Sequence, residues 1–511
     1  MLVAAAAAAV VGVSPLFAAD PDALAGLIIA VPELPQELDP QMAVRDVDLA
    51  LASEMFMGLV TRDAQGRLAP GAAERWDISN DRLTYTFTLR RGLQWSDGVA
   101  LDAEDFVAGF HHALSPEPRA PFASALLAVQ GAEETLAGAS RASLGVAATD
   151  SRTVRITLKQ PSATFLAALA LPVAMPVPHR RGERTFGRES PASNGPFMAQ
   201  PAEGGVTLVK NPKFFAATEV SIPAVSFAVA ASSDDAVEMV RSRAAQLTWG
   251  FSFMPPPPRA RGLKAEAGTD LLFVAVNARK PILNRRENRH ALAMTIDREA
   301  FVRTSRLENA APAYTMVPPQ LAGPAAFHRA AYAPLTGNMR GAVAEVLLEE
   351  SQVSRAHPVT FQFRYPKGAA TAAFAKTITA GWPRIGITAR LQEDEPAAFA
   401  EALRRGDFDL ALTTWPARSD DAFGFLTPLS RQGGAWNMGG YAEPEFNKRL
   451  QAALSEADPA IRPQVTVQAE NVVIEDQIIL PVVFFTPYRP VAVEGWQPNA
   501  LGVHPLRYLS P

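Results

Sequence analysis

The chain contains no cysteine among its 511 residues. This absence excludes disulfides, thiolate nucleophiles, thiolate zinc sites and cysteine-bound clusters, and it leaves no site for a cysteine-linked lipid anchor. The sequence also lacks a His-Glu-x-x-His pair, a Gly-x-Ser-x-Gly elbow, a phosphate-binding Gly-x-x-x-x-Gly-Lys loop and a Gly-x-Gly-x-x-Gly motif. Because the common catalytic signatures are missing together, we expect a protein that is not an enzyme and that carries no cofactor.

The seven histidines offer little for a metal site. His111 and His112 are adjacent, so on a helix they point about 100° apart and do not easily share one metal ion. Glu104 and Asp105 lie one to two turns earlier, which makes a site conceivable, and a solvated helix face is the alternative. We expect no bound metal.

Neither sign of charge dominates. Lys and Arg total 48 against 52 Asp and Glu, which gives a net charge of −4. A general nucleic-acid surface needs concentrated positive charge, so we expect no nucleic-acid partner.

The N-terminus resembles an export signal. Residues 2–17 are apolar and rich in alanine, and Ala18, Ala19 and Asp20 follow. The run is too short to span a bilayer comfortably and suits a signal peptide cleaved near Ala18 or Ala19. No Lys or Arg precedes it, so either the true start lies upstream or the signal is atypical; a buried N-terminal helix is the alternative. We expect an exported periplasmic protein that is not a lipoprotein.

Strand and helix patterns alternate along a chain too long for one core. Residues 27–31 form a short apolar run of the buried-strand type, and residues 83–89 alternate with Leu83, Tyr85, Phe87 and Leu89 on one face. Residues 49–59 repeat apolar residues at helical spacing, and Asp102 suits the N-cap of a second helix. The mixture predicts an α/β or α+β protein of two or three domains.

Several motifs follow one another in a characteristic order. They are LDP at 38–40, LAPGAAERW at 68–76, LTYTFTLRRG at 83–92, WSDG at 95–98, DAEDF at 102–106, SNGPF at 193–197, NPKFF at 211–215 and RHALAMTIDR at 289–298. This composite pattern resembles the signature of family 5 extracellular solute-binding proteins, the oligopeptide and dipeptide receptors of ABC importers. Most of the motif residues predict structure rather than ligand contact: Asn194-Gly195 predicts a turn with positive φ, and Trp95 predicts core packing.

The resemblance implies an α/β fold, a two-lobed periplasmic binding protein (class II-like clamshell) with an additional inserted lobe. Lobe I is expected at 20–56, 176–273 and 478–511, lobe II at 57–175 and lobe III at 274–477, after a signal peptide at 1–19. Ligand is enclosed between lobes I and III by hinge closure. The implied partners are a peptide or peptide-like solute and the permease subunits of an ABC transporter in the inner membrane, with the receptor itself a monomer.

In peptide-binding relatives the extended ligand pairs with two backbone segments of the receptor. By position relative to the motifs, those segments are Val44-Arg45-Asp46 and Thr414-Trp415-Pro416, and plain loops at a lobe edge are the alternative. Ser252 is a further expected ligand-binding residue.

The sequence departs from these relatives near Trp415. Three residues later, where relatives place an aspartate that pairs with the peptide ammonium, this chain has Arg418, and Pro416 lacks an N–H donor. A cation facing an ammonium is repulsive, so this pairing is not kept.

Three interpretations of the departure remain open. Asp46, Asp420 or Asp421 takes over the ammonium, Arg418 binds an acidic group of the ligand, or Arg418 pairs with Asp420 or Asp421 as a structural bridge. We therefore predict a receptor for peptides or peptide-like solutes. The alternatives are a non-peptide ligand (a metal chelate, an opine or a modified sugar) and a non-transporting signalling paralogue.

Overall fold

A computed structural model describes residues 26–139, 143–179, 191–202, 205–251, 270–319, 321, 329–415, 422–430, 437–456, 458, 460–486, 488, 490–496 and 504–510. The strands in these residues are β1 Leu27–Val31, β2 Val60–Arg62, β3 Leu68–Pro70, β4 Ala73–Ile78, β5 Thr84–Leu89, β6 Val146–Asp150, β7 Thr153–Thr157, β8 Phe197–Ala202, β9 Gly205–Lys210, β10 Ala224–Val229, β11 Leu247–Thr248, β12 Asp270–Val276, β13 Glu308–Pro312, β14 Val359–Pro366, β15 Ile387–Asp394, β16 Leu410–Trp415 and β17 Ile479–Thr486.

Helices alternate with these strands. They are α1 Asp46–Met55, α2 Ala103–Ala113, α3 Ala132–Leu136, α4 Phe165–Ala168, α5 Ser233–Arg241, α6 Arg286–Met294, α7 Arg298–Ser305, α8 Gly337–Leu348, α9 Ala369–Thr379, α10 Pro396–Arg405, α11 Phe423–Leu426, α12 Pro444–Ser455 and α13 Arg462–Asp476. Short 3₁₀ helices cover Ala123–Leu126, Pro172–Ala174, Ala217–Glu219, Glu349–Ser351, Trp382–Ile385, Thr427–Leu429 and Leu506–Tyr508. No helix in the described residues is long and apolar enough to cross a membrane.

Three sheets define the three lobes. Lobe I contains a five-stranded sheet in the order β11-β1-β10-β9-β8, and lobe II contains a four-stranded sheet in the order β4-β5-β7-β6. Lobe III contains a six-stranded sheet in the order β13-β17-β12-β16-β14-β15. This arrangement confirms the predicted α/β clamshell with an inserted lobe.

The local sequence patterns reappear in the elements of lobes I and II. Tyr85, Phe87 and Leu89 are the buried residues of β5, as the strict alternation predicts. Asp102 caps α2 in a capping box: its side chain accepts from Glu104 N–H, while Asp105 accepts from the Asp102 N–H.

Two local predictions were wrong for packing reasons. The helical pattern of 49–59 ends early: α1 stops at Met55, and Phe56 is extended with φ −125° and ψ 150°. Further on, a Cβ at Gly58 would lie only 2.6 Å from the Leu169 carbonyl oxygen, so the chain there packs closely against lobe II. Gly195 does not have positive φ. A Cβ there would lie 2.6–2.7 Å from the backbone of Met55 and Phe56, so Gly195 permits close approach of two backbones rather than a left-handed turn.

Two large hydrophobic cores leave a boundary between them. One core joins lobes I and II and also includes Val491, Leu506 and Leu509 from the C-terminal segment. The other core belongs to lobe III and includes β12 and β17. The lobe limits expected from the sequence stay a prediction. The expected limit at 273/274 falls inside β12. Residues 478–511 were expected in lobe I, but β17 within them pairs with β12 in the sheet of lobe III.

The lobes touch one another across this boundary. The Ala163 N–H of lobe II donates to the Leu454 carbonyl on α12 of lobe III at 3.0 Å. On the side of lobe I, a Cβ built on Gly368 would lie 3.5 Å from Ser233 Oγ at the start of α5. The structure therefore represents a closed arrangement in which all three lobes enclose the space between the cores.

Candidate ligand cavity between the lobes

A cavity of about 990 Å³ lies where the three lobes meet. This volume is at the upper end of the range for organic ligand sites, which is roughly 300–1,000 Å³. Each lobe contributes to the wall. Representative lining residues are Glu33, Arg45 and Trp249 from lobe I, Phe122, Ala128 and Lys159 from lobe II, and Thr413, Phe423 and Leu454 from lobe III.

The segment Val44-Arg45-Asp46 lines the cavity at the start of α1. Arg45 occupies the N-cap position with extended backbone angles of φ −77° and ψ 144°. Asp46, the first residue of the helix, is exposed and lies where the helix dipole favours a negative charge. The segment thus presents extended backbone immediately before a helix.

Arg45 is held by two carboxylates. Its Nε and Nη2 donate to the two oxygens of Asp48 at 2.6 and 2.8 Å, and its Nη1 lies 2.7 Å from Glu33 Oε2. Burial opposes the charge of Arg45, yet the hydrogen bonds and charges of Asp48 and Glu33 outweigh it and raise its pKa. Asp48 Oδ1 also accepts the N–H of Gln36 and Glu37. Arg45 therefore fixes the local backbone rather than offering an uncompensated charge to a ligand.

Strand β16 forms the wall from lobe III. It pairs with β12 along its whole length, from Leu410 to Trp415, whereas β14 pairs with it only at Leu410 and Ala411. Thr413 and Thr414 line the cavity beyond the end of the β14 ladder. Trp415 is buried, and its Nε1 donates to the Gly424 carbonyl at 3.1 Å. The indole thus fixes the end of the strand against α11.

Aromatic residues that the sequence reasoning missed form part of the wall from lobe I. Trp249 and Phe251 line the cavity on either side of Gly250, whose φ is +78°. The Trp249 ring packs on Phe227 with centroids 5.7 Å apart. The WGF triplet at 249–251 was the available signal, because a glycine between two aromatic residues allows a sharp change of chain direction.

Several polar side chains, most of them from the C-terminal segment, form one end of the cavity. Trp496, His504 and Arg507 line it together with Glu54 from α1. The rings of Trp496 and His504 stack with centroids 3.5 Å apart. Glu54 Oε1 accepts the Leu506 N–H at 3.0 Å, and burial raises the pKa of Glu54 to about 7, against the opposing effects of that bond and the Arg507 charge. Sequence reasoning did not identify this group, because Glu54 is more than 400 residues from its other members.

One cluster in the described residues has ligand atoms close enough for a metal ion, and it lies in lobe II. It consists of Asp102, Asp105 and His179, and does not include His111 or His112. Asp105 already accepts from Trp95 Nε1, the Asp102 N–H and the His179 N–H, and its Oδ1 lies 2.8 Å from His179 Nδ1. His112 Nε2 lies 2.8 Å from Asp39 Oδ2 instead. The carboxylate of Asp105 therefore serves the helix cap and the packing of lobe II.

The cavity brings together part of the predicted site. Val44, Arg45, Asp46 and Thr414 line it, and Trp415 is buried beside it. Ser252, Arg418 and Asp420, together with Pro416 and Asp421, lie outside the described residues.

A multi-lobed receptor that encloses a small solute between its lobes is the class that this fold and cavity define. The family model of bacterial extracellular solute-binding proteins, family 5 Middle, matches residues 67–437. The chain belongs to this family, which confirms the predicted resemblance.

Individual relatives cover nearly the whole chain. The probable deoxycholate-binding periplasmic protein YgiS of Escherichia coli is 31% identical over 466 residues, which are 88% of this chain and 86% of YgiS. The periplasmic oligopeptide-binding protein OppA of Salmonella typhimurium is 26% identical over 490 residues, 92% of this chain and 89% of OppA. The crystal structure of Haemophilus influenzae OppA complexed with RPPGFSPFR superposes with a TM-score of 0.86 at 24% identity, covering 95% of this chain and 99% of that one. These relatives are binding proteins, two of them periplasmic by name.

Proposed function

We propose that this protein is a periplasmic receptor that encloses a peptide or peptide-like solute between lobes I and III and delivers it to an ABC importer. The observation that carries the proposal is the end of the β14 ladder at Ala411, because the following stretch of β16 lines the same cavity as the extended segment Val44-Arg45-Asp46. An extended peptide adds to such segments through backbone hydrogen bonds, which are the same for every sequence.

Specificity for peptides then depends on residues beyond this backbone pairing. Arg45 is neutralised by Asp48 and Glu33 and so favours neither terminus of a peptide. We propose that Asp46, Arg418, Asp420 and Ser252 supply the remaining polar contacts, with Trp415 shaping the wall. The departure at Arg418 argues for a ligand whose amino end differs from that of an ordinary free peptide.

A second candidate is an amphipathic non-peptide solute with a rigid apolar body. Two observations favour it: aromatic residues Trp249, Phe251, Phe423 and Trp496 contribute to the cavity wall, and YgiS, the relative at 31% identity, is named for probable deoxycholate binding. Flat apolar ligands bury area efficiently against aromatic rings. A bile salt is therefore the first non-peptide compound to test.

The proposed receptor function also implies where the protein works and which proteins it works with. We propose that residues 1–19 are a signal peptide cleaved near Ala18 or Ala19, and that the mature protein works in the periplasm with permease subunits of the inner membrane. N-terminal sequencing of the exported protein tests the cleavage site. Retention of Met1 in a cytosolic protein would contradict the proposal.

Native mass spectrometry of protein purified from its own periplasm tests the ligand. We expect a retained mass that matches a peptide or an amphipathic acid, since a closed cavity releases its contents slowly. Titration calorimetry with trialanine, tetra-alanine and deoxycholate then distinguishes the two candidates. Binding of none of these compounds to ligand-free protein would contradict both.

A further inference from the structure

The cations that line the cavity differ in whether they have an acidic partner. Arg45 pairs with Asp48 and Glu33, Lys159 pairs with Glu133, Lys367 pairs with Glu395, and Arg404 pairs with Glu401. Arg507 also lines the cavity and differs from these four: within the described part of the chain no carboxylate oxygen lies within 4.0 Å of its guanidinium. A buried charge without a partner is costly, so this arrangement requires a reason.

The remaining acceptors around Arg507 are weak or few. The side chain is buried, with 7% of the residue exposed. Its Nη1 contacts the Met57 thioether sulfur at 4.0 Å, and its Nη2 donates to Tyr508 Oη at 2.6 Å and reaches the Arg62 carbonyl only at 3.5 Å. Its Nε is buried with no hydrogen-bond partner. A guanidinium has five N–H donors, so most of its capacity is unused.

Two other buried polar atoms from residues that line the cavity also lack partners. They are Trp496 Nε1, which is a donor, and Glu54 Oε2. Glu54 Oε2 is a donor only when the carboxyl is protonated; above the raised pKa of about 7 the carboxylate is ionised and its charge competes with a ligand anion. The end of the cavity is therefore rich in donors, and buried donors of this kind are normally satisfied by an acceptor.

We propose that Arg507, with Trp496 and Glu54 beside it, forms an anchoring subsite for a carboxylate of the bound solute. This inference rests on the proposed function, because it assumes that the cavity encloses an organic solute. A carboxylate offers two oxygens to the guanidinium fork and the indole N–H, and it supplies the negative charge that Arg507 lacks. Both candidate ligand classes carry this group: a peptide has one at its C-terminus, and a bile salt has one on its side chain.

The experiment compares acids with their neutral amides in wild-type protein and in Arg507→Gln. The probes are deoxycholate, its primary amide, trialanine and trialanine amide, measured by titration calorimetry at pH 8. We expect wild-type protein to bind at least one acid about tenfold or more tightly than its amide, because the amide leaves the buried charge unpaired. In Arg507→Gln the two affinities should become equal within about twofold.

Arg404→Gln is the matched control. Arg404 also lines the cavity but is already paired with Glu401, so this variant removes one positive charge from the cavity without touching the subsite. It should keep the preference of the wild type for the acid. An equal loss of preference in both variants would indicate a general field effect and overturn the assignment.

Glu54→Gln tests the same subsite independently, so the proposal can still be tested if Arg507→Gln does not fold. The amide oxygen can still accept the Leu506 N–H, while the charge that competes with a ligand carboxylate is gone. Its preference for the acid should exceed that of the wild type by about threefold or more at pH 8. Unchanged preference in Glu54→Gln, or acid and amide binding equally to wild type, would overturn the subsite alone. Failure of all four probes to bind wild type would overturn the proposed function and the subsite with it.

Discussion

Two buried arginines have opposite surroundings in this molecule. Arg298, at the start of α7 in lobe III, is fully buried and donates to main-chain carbonyls, those of Ala293, Ile296, Ala313 and Pro481, and to the Tyr332 hydroxyl. Arg507, beside the cavity, contacts a thioether, one hydroxyl and one distant carbonyl, and its guanidinium lies 4.6 Å from the centroid of the Tyr508 ring. Arg298 thus links several segments of the lobe III core, whereas most N–H donors of Arg507 have no strong acceptor within the protein.

A similar contrast distinguishes Glu470 and Tyr441 from Glu54. In lobe III, Glu470 accepts the N–H groups of Met316 and Val317, and Tyr441 donates to Asp476, all away from the cavity lining. In lobe I, Glu54 lines the cavity and has one oxygen without a partner. Among these three groups, the two with partners lie away from the cavity and the one with a free oxygen lines it. The rule is not general, because Gln41, Arg340 and Asn471 also have a buried atom without a partner and do not line the cavity.

The largest expected effect comes from replacing Arg298. Arg298→Met should lower the free energy of unfolding by about 3–5 kcal/mol, because several buried carbonyls lose their donor. Arg507→Met strands fewer acceptors and should cost only about 1 kcal/mol. Urea denaturation of both variants measures the difference. Equal costs would remove the distinction between the two arginines.

The free energy of unfolding should depend on pH through buried glutamates such as Glu470, and not through exposed ones. Burial raises the pKa of Glu470 to about 7 against the lowering effect of the Val317 and Met316 N–H groups. Below the unfolded pKa near 4.5 both states hold the proton, and between that pH and about 7 the unfolded state ionises first. Glu470 therefore contributes stability at low pH that is lost as pH rises, by roughly 3 kcal/mol in total.

Glu470→Gln tests this dependence. Between pH 4.5 and 7 its stability should fall by roughly 3 kcal/mol less than that of the wild type. Glu475→Gln, at an exposed position on the same helix, serves as the control and should follow the wild-type curve. Parallel curves for wild type and Glu470→Gln would contradict the assigned direction.

A disulfide across the boundary tests whether lobes I and III must separate to release ligand. The chain has no cysteine of its own, so the pair Ser233→Cys and Gly368→Cys can form only one bridge. A Cβ at position 368 lies 3.5 Å from Ser233 Oγ, the atom that a cysteine sulfur would replace, so the two side chains are within reach of a bridge. Oxidation in the presence of ligand should slow release on the order of 100-fold, and reduction should restore it. Each single variant is a control, and rapid release from the oxidised pair would refute hinge closure here.

The sequence predicts the scaffold better than the cavity. The alternation at 83–89 and the Asp102 cap are local, so the residues that decide them are neighbours in the chain. The end of α1 at Met55 was missed because the apolar spacing continues to Leu59, whereas the chain after Met55 is extended and packs at Gly58 against Leu169 of lobe II. The group of Glu54 and Arg507 joins opposite ends of the chain, and no periodic pattern reports such a contact.

The smallest expected effect concerns Tyr441 in lobe III. Its hydroxyl donates to Asp476 Oδ2 at 2.5 Å, and burial, followed by that hydrogen bond and the Asp476 charge, raises the pKa of Tyr441. Tyr441→Phe removes one donor while keeping the ring that packs on Phe446. We expect a loss of about 1–2 kcal/mol in the free energy of unfolding, because the Asp476 carboxylate loses a partner.

The ligand affinity of Tyr441→Phe is the second measurement of this test. Tyr441 does not line the cavity, so Tyr441→Phe should bind the same solute as the wild type within about twofold. Arg507→Gln should show the reverse pattern, a large change in ligand preference with a small change in stability. If Tyr441→Phe altered affinity as strongly as Arg507→Gln, Tyr441 would be coupled to the cavity, and the separate roles assigned to Tyr441 and Arg507 would be wrong.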